Sequence, residues 1–317
     1  MNQICIICVY FGKFPSNFEI WYDSCLKNKK IDFLLITDQN GYKQNQNIHF
    51  IYMTMNEFKN LIIKKIGIDV KLENPRKCCD YRPAYGVILQ DYLHQYSYWG
   101  SCDMDLVFGD ITSFLEKYSY QDYDKFLPLG HLTLYRNTLE NNERYKLKCS
   151  TEDYIEAFST DDNMIFDERS ICNIYDEYNF PVFKKRIFAD ISPRNKRFLL
   201  GGKDVNYKEQ IFIYDKGKVF RIYFFNNKMY KEEYLYIHFQ NRSKMKDNTN
   251  GKHDNYIISY AGFYPLINED YKMLIQKFNR YQGYIYEKLE LKVAWIKRRK
   301  KNLIKRIKKI RNQNGNK

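Results

Sequence analysis

Apolar and polar positions alternate through the first third of the chain on the scale of short strands and helices. Ile4–Val9 is a continuous apolar run of strand length, followed by Tyr10-Phe11-Gly12. Pro15-Ser16 open a helix that reaches about Asn28. Phe33–Thr37 is a second buried-type run, closed by the turn signal Asp38-Gln-Asn-Gly41, and Ile48–Met53 is a third. Residues 55–66 then carry apolar side chains at helical spacing. Strands that alternate with helices predict an α/β fold with a largely parallel sheet.

Further along, Pro75–Gly86 predicts a loop leading into a helix over residues 83–96, with Pro83 in the first turn where proline is tolerated. Tyr98–Ile111 reads as a short strand, two carboxylates one residue apart and a second apolar run. Phe126–Leu129 is another strand, and residues 138–180 are polar and helical in part. Phe212–Tyr223 predicts a hairpin turned at Asp215-Lys-Gly217, and Glu233–Phe239 a last strand. Residues 240–252 form a polar, basic loop, and from about Glu269 the pattern is helical almost to the end. There is no internal repeat and no Gly/Ser linker. The expected division is one domain over residues 1–265 and a helical extension over 266–317.

Charge changes this picture in one place. The net charge of +14 would suggest a nucleic-acid partner, but residues 295–317 carry 11 Lys or Arg and no acid. The other 294 residues hold 41 basic and 38 acidic side chains, so the body is nearly neutral and no nucleic-acid surface is expected there. Ile285, Leu289, Val293, Ile296, Leu303, Ile307 and Ile310 form an apolar stripe on the basic tail, with Trp295 beside it. That pattern suits an anionic membrane surface over residues 285–311, although an RNA-binding tail or a helix packed on the body fits it as well. Eight cysteines show no regular framework and read as reduced, which suggests a cytosolic compartment. The start of the chain lacks a basic region, so a signal peptide is not expected. No run reaches the roughly 18 apolar residues of a membrane-spanning helix.

The candidate chemistry centres on Asp103 and Asp105. Two carboxylates one residue apart after a buried strand can hold one hard divalent cation through oxygen ligands, typically Mg²⁺ or Mn²⁺. In parallel sheets, ligands gather at the carboxyl ends of strands. Tyr10-Phe11-Gly12, Thr37-Asp38 and Asp103–Asp105 all fall at such ends.

The run Trp99-Gly-Ser-Cys-Asp103-Met-Asp105-Leu-Val-Phe-Gly-Asp110 resembles the metal loop of a bacterial family of predicted GT-A-type glycosyltransferases from capsule and surface-polysaccharide clusters. Tyr10-Phe11-Gly12, Ile31-Asp32-Phe33, Lys77-Cys-Cys-Asp80-Tyr81-Arg82-Pro83, Gly130-His131-Leu and Tyr236-Ile-His238 match it in order. The chain departs from the family pattern at Cys78, where the family has Leu, and at Arg82 and Asn241, where it has Lys.

The resemblance implies a GT-A-like nucleotide-sugar-binding fold with a mainly parallel central sheet and an amphipathic helical extension. It implies transfer of a sugar from a nucleotide-diphosphate donor, with a UDP-sugar favoured, to a glycan or lipid-linked glycan. The location implied is the inner face of the cell membrane, peripheral and cytoplasmic. It assigns Tyr10, Phe11, Gly12 and Asp38 to the donor nucleotide, and Lys77, Asp80, Tyr81 and Arg82 to the donor pocket. His238 would complete the metal site with Asp103 and Asp105, binding Mn²⁺ or Mg²⁺. Arg242 and Lys244 would grip the diphosphate. Asp167 and Glu168 are the candidate catalytic carboxylates. Glu152-Asp153 and Asp161-Asp162 are alternatives, and helix capping explains any of these pairs equally well. His131 could contact the acceptor, and core packing accounts for Tyr10 and Phe11 as readily as stacking does. Two other classes stay open: a sugar-phosphate nucleotidyltransferase, for which Tyr10–Pro15 is a poor phosphate loop, and a non-enzymatic binder driven by the tail.

Overall fold

The computed structural model describes residues 2–42, 44–193, 198–202, 204–240, 245–267 and 270–278, together with residues 292, 293, 296, 299 and 300. β1 (Ile4–Tyr10), α1 (Phe18–Lys27), β2 (Asp32–Thr37), β3 (Ile48–Tyr52) and α2 (Met55–Ile66) follow one another as the alternation predicts. β4 (Tyr98–Cys102), β5 (Leu106–Phe108), β6 (Lys125–Phe126), β7 (Leu132–Arg136), β8 (Val182–Phe183) and β9 (Ala189–Asp190) come next. The largest sheet has the order β3-β2-β1-β4-β7-β6-β8. Its first four strands are parallel, and β7 runs antiparallel to β4.

Period-two side-chain alternation explains why this sheet is covered on both faces. Ile4, Ile6 and Cys8 of β1 and Phe33 and Leu35 of β2 join Trp21 and Cys25 of α1 on one face. Cys5, Ile7, Leu34 and Ile36 join Phe58 and Ile62 of α2 on the other. α2 begins at a capping box, in which Thr54 accepts from the Glu57 N–H and Glu57 reaches back to Thr54, and ends at Gly67 with φ +80°.

The helix expected over residues 83–96 is instead a succession of single turns, Cys78–Tyr81, Arg82–Ala84, Tyr85–Ile88 and Gln90–Leu93. Pro83 removes a ladder donor. Gly86 supplies a close approach, because a Cβ there would lie 2.6 Å from Trp99 Nε1 and 2.5 Å from Asn142 Cγ.

The second half of the chain is largely antiparallel, an arrangement the sequence pattern showed only at its central hairpin. β10 (Glu209–Asp215) and β11 (Lys218–Phe225) form that hairpin, with Lys216 and Gly217 both at positive φ. β12 (Lys228–Tyr234) extends it. The single strand expected over residues 233–239 divides at Leu235. Beyond it, β13 (Tyr236–His238) leaves for a separate three-stranded sheet, β5-β13-β9. β14 (Lys246–Asp247), β15 (Asn255–Ser259) and β16 (Gly262–Pro265) complete a six-stranded sheet ordered β12-β11-β10-β15-β16-β14.

The first helical turns of the expected extension belong to the body. Leu274 and Ile275 of the helix Tyr271–Phe278 are buried with Ile211, Ile213, Ile222 and Ile257. Residues 292, 293, 296, 299 and 300 are helical and exposed, and the rest of the 285–311 stripe lies outside the described residues. Among the described residues, no helix is long and apolar enough to cross a membrane.

An ionic clasp ties α1 to the antiparallel sheet. His253 Nδ1 hydrogen-bonds to Asp23 of α1 and Nε2 lies 2.9 Å from Asp247 of β14. The Asp23 hydrogen bond does most to raise the imidazole, burial opposes it, and Asp247 adds to the rise, leaving His253 at about 9 instead of 6.5. A group raised on folding stabilises the fold fully below its unfolded value and loses that effect as pH climbs through the folded one. The urea midpoint of the wild-type protein should therefore fall relative to His253→Asn between pH 6.5 and 9. A constant difference between the two across that window would refute the charged clasp.

Candidate active site

The chain runs outward from β1 to β3 and returns to β4 beside β1, so the order reverses between β1 and β4. Such a reversal opens a crevice at the carboxyl ends of the strands. At the β1 end, Gly12 takes φ +88°, and its N–H donates to Asp38 Oδ1 at 2.8 Å, joining the loops after β1 and β2. Tyr10 is half-buried and lines the cleft. Phe11 also borders it, but its ring is buried 5.8 Å from Phe58 in the core beneath.

Asp103 follows β4 directly, and its N–H donates to the His131 carbonyl at 3.0 Å. Asp105 precedes β5. The antiparallel pairing of β5 with β13 sets Leu106 opposite His238, and the Asp105 carbonyl accepts from the Phe239 N–H at 3.0 Å. His238 Nε2 thereby lies 3.4 Å from Asp105 Oδ1 and 3.9 Å from Asp103 Oδ2. β9 pairs with the other side of β13 and sets Asp190 opposite His238, whose Nδ1 is 2.9 Å from Asp190 Oδ1.

This donor set fits a divalent cation. One ligand atom each from Asp103, Asp105 and His238 lies within 4.8 Å of the others. Asp190 occupies Nδ1, which leaves Nε2 facing the two carboxylates, the arrangement that orients metal-bound imidazoles. Two carboxylates and one imidazole suit Mn²⁺ better than an all-oxygen cation such as Ca²⁺. Burial by itself would pull His238 down. Hydrogen bonds to Asp105 and Asp190, with the charges of Asp105 and Asp103, outweigh it and push the imidazole up to about 10. In the absence of a cation, a proton thus balances the carboxylates.

Arg82 links this cluster to the second pair of acids. It ion-pairs with Asp103, donates to the Gly130 carbonyl at 2.9 Å and lies 3.2 Å from Asp167 Oδ2. Burial raises Asp167 to about 7, against the pull of Arg82 and with help from Glu168. Glu168 itself lines the cleft, and its Oε1 accepts from the Gly130 N–H at 3.2 Å.

Lys77 and Asp80 are turned into the protein. Lys77 Nζ lies 2.8 Å from Asp80 Oδ2 and donates to the carbonyls of Ala157 and Asp162, and Asp80 accepts from the N–H groups of Met164 and Phe166. Both side chains are buried, and they brace the segment that leads to Asp167 and Glu168. Tyr81 is buried likewise, with its hydroxyl on the Lys71 carbonyl. Arg242 and Lys244 lie outside the described residues. Asp190 escaped the sequence reading because a two-residue strand, Ala189–Asp190, leaves no periodic signal.

The cleft that these groups surround holds about 730 Å³, with Tyr10, Arg76, Arg82, Asp103, Asp105 and Glu168 in its walls. That is the size of an ordinary small-molecule site.

A family model described as a family of unknown function, DUF6625, matches residues 6–267, which contain every residue of this cleft. The chain belongs to this DUF6625 family. None of the curated proteins matches it. Among solved structures, the chain is similar to the apo form of mouse xyloside xylosyltransferase 1, with 6% identity and a TM-score of 0.39 over 59% of this chain and 87% of that one. It is also similar to the galactosyltransferase LgtC in complex with donor and acceptor sugar analogs, with 10% identity and a TM-score of 0.36 over 59% of this chain and 75% of that one. A third is the mannosyltransferase Ktr4p from S. cerevisiae, with 11% identity and a TM-score of 0.24 over 40% of this chain and 39% of that one.

Proposed function

We propose that this DUF6625 protein is a GT-A-like, metal-dependent glycosyltransferase that moves a sugar from a nucleotide-diphosphate donor to a glycan. The observation that carries the reading is the convergence of Asp103, Asp105 and His238 at the reversal of strand order, inside a cleft of nucleotide-sugar size. A bound Mn²⁺ or Mg²⁺ would neutralise the charge that develops on the departing diphosphate. The chain's own residues do the rest. Tyr10 stacks on the base at the end of β1, and Arg76 and Arg82 supply cationic walls beside the phosphates. Glu168 takes the proton from the acceptor hydroxyl as that oxygen attacks the anomeric carbon, and Arg82 pins the neighbouring Asp167.

In this reading the donor is a UDP-sugar and the acceptor a lipid-linked glycan of a bacterial surface polysaccharide. The tail over residues 285–311 docks on an anionic membrane at its cytoplasmic face. Its support is compositional: 11 basic residues and no acid over residues 295–317. Flotation with anionic vesicles but not neutral ones, lost on removal of residues 295–317, is the expected behaviour. Equal flotation of the shortened protein would count against it.

The decisive test is hydrolysis or transfer by the purified protein across a panel of nucleotide-sugars, with and without Mn²⁺. Turnover of at least one donor that stops with EDTA is expected. The absence of both Mn²⁺-dependent binding and turnover for every donor tested would overturn the reading.

A further inference from the structure

His131 carries a buried ring nitrogen that has no hydrogen-bond partner among the described residues. The residue stands just before β7, among the residues that border the cleft. It stacks on His238 with centroids 4.3 Å apart and meets Phe188 and Tyr236 edge-on. Nδ1 lies 2.8 Å from the Tyr236 hydroxyl. Nε2 is buried and has no hydrogen-bond partner among the described residues.

The Tyr236 hydroxyl makes its one hydrogen bond among the described residues to this same Nδ1. If Nδ1 carried the proton and donated, the phenolic hydrogen and the Nε2 lone pair would both be stranded. If Tyr236 donates to Nδ1, the Nε2–H alone is left over. A buried polar group without a partner costs about 1–3 kcal/mol, so the second arrangement prevails. The result is a neutral N–H donor, fixed in one tautomer, in the wall of an acid-lined cleft. An unmatched buried donor at such a place calls for a ligand atom.

The chemistry of the site selects that atom. A second cation shared by His131, Asp190 and His238 is disfavoured, because Asp190 Oδ1 already accepts from both His238 and Gln240. A phosphate would be drawn to the cation site itself. His131 lies one ring-stacking distance from the ligand His238, just outside that site. On a nucleotide-sugar whose diphosphate sits at Asp103 and Asp105, the next group along is the sugar, and its hydroxyl oxygens are neutral acceptors. We propose that His131 binds the donor sugar, its Nε2–H donating to a sugar hydroxyl, and that Tyr236 is the positioning residue that holds it in that tautomer. This rests on the glycosyltransferase reading above.

The test measures Mn²⁺-dependent binding of UDP, UDP-glucose, UDP-galactose and UDP-N-acetylglucosamine by titration calorimetry. The proteins are wild type, His131→Phe, His131→Gln and Tyr236→Phe. His131→Phe should weaken the preferred UDP-sugar about tenfold and leave UDP unchanged, the worth of one hydrogen bond made to the sugar alone. His131→Gln, whose amide can reach the Nε2 position, should recover part of the loss. In wild type, ¹⁵N NMR of the imidazoles should show His131 as the neutral Nε2–H tautomer, with that proton moving downfield when the UDP-sugar binds. In Tyr236→Phe both tautomers should be populated. Equal losses for UDP and UDP-sugar, no loss for either, or an Nδ1–H tautomer in wild type would each overturn the proposal and leave the glycosyltransferase reading standing. If wild type binds none of these ligands with Mn²⁺, the UDP-sugar donor of the reading above falls and this inference falls with it, while the wider nucleotide-sugar panel still decides the glycosyltransferase reading.

Discussion

Asp105→Asn should weaken Mn²⁺ binding by at least about 100-fold, because even residues that merely orient a metal ligand typically cost 10–100-fold when changed. The substitution keeps the size of the side chain but removes its charge, and His238 Nε2 sits 3.4 Å from that carboxylate. Asp105 is the better target of the two acids, since Asp103 also anchors Arg82. Removing Asp103 would free the guanidinium and mix two effects. Mn²⁺ titration followed by the EPR signal of the free ion measures the loss directly, without any assumption about the substrate. Urea unfolding in EDTA measures separately the stability lost with the Asp105–His238 contact, so that the metal affinity is read on folded protein. An unchanged Mn²⁺ affinity would remove Asp105 from the site and with it the basis of the functional reading.

Asp80→Ala should have the largest effect on stability, about 3–5 kcal/mol, the usual cost of stripping one partner from a buried ion pair. Lys77 would keep its two carbonyl acceptors but lose the counter-charge of Asp80, in a place where both side chains are almost wholly inaccessible. The N–H groups of Met164 and Phe166 would lose their acceptor as well. Because Phe166 immediately precedes Asp167, the damage should reach the cleft through the backbone. The control is the double variant Lys77→Met/Asp80→Ala. It removes the stranded charge and should recover a substantial part of the loss in urea unfolding. A single variant as stable as wild type would show that the pair is not a brace.

The two predictions separate what sequence could show from what it could not. Asp103 and Asp105 were legible because their geometry is local: two residues on a strand-end loop share a neighbourhood wherever the strand goes. The family resemblance assigns Lys77 and Asp80 to the donor pocket, but both side chains are turned into the protein. The carbonyls and N–H groups that claim them come from residues 157–166, some eighty positions along, and no local pattern announces that contact.

By itself, the sequence determined the α/β alternation over residues 4–66, the capped helix α2, the Asp215–Gly217 turn and the segregation of basic charge into residues 295–317. Each of these depends on side-chain period, on a cap within four residues or on composition, all of which are properties of short range. Only the tertiary structure decided that β13 leaves the antiparallel sheet at Leu235 and pairs with β5 and β9, bringing His238 against Asp105 and Asp190 across separations of 133 and 48 residues. The same holds for Arg82 between Asp103 and Asp167, and for His131 Nε2, which has no partner among the described residues. Strand pairing and burial depend on which distant segments meet. The partners of a buried polar atom are therefore settled by the fold as a whole, and the two acids after β4 meet the candidate third ligand His238 only once β13 lies beside β5.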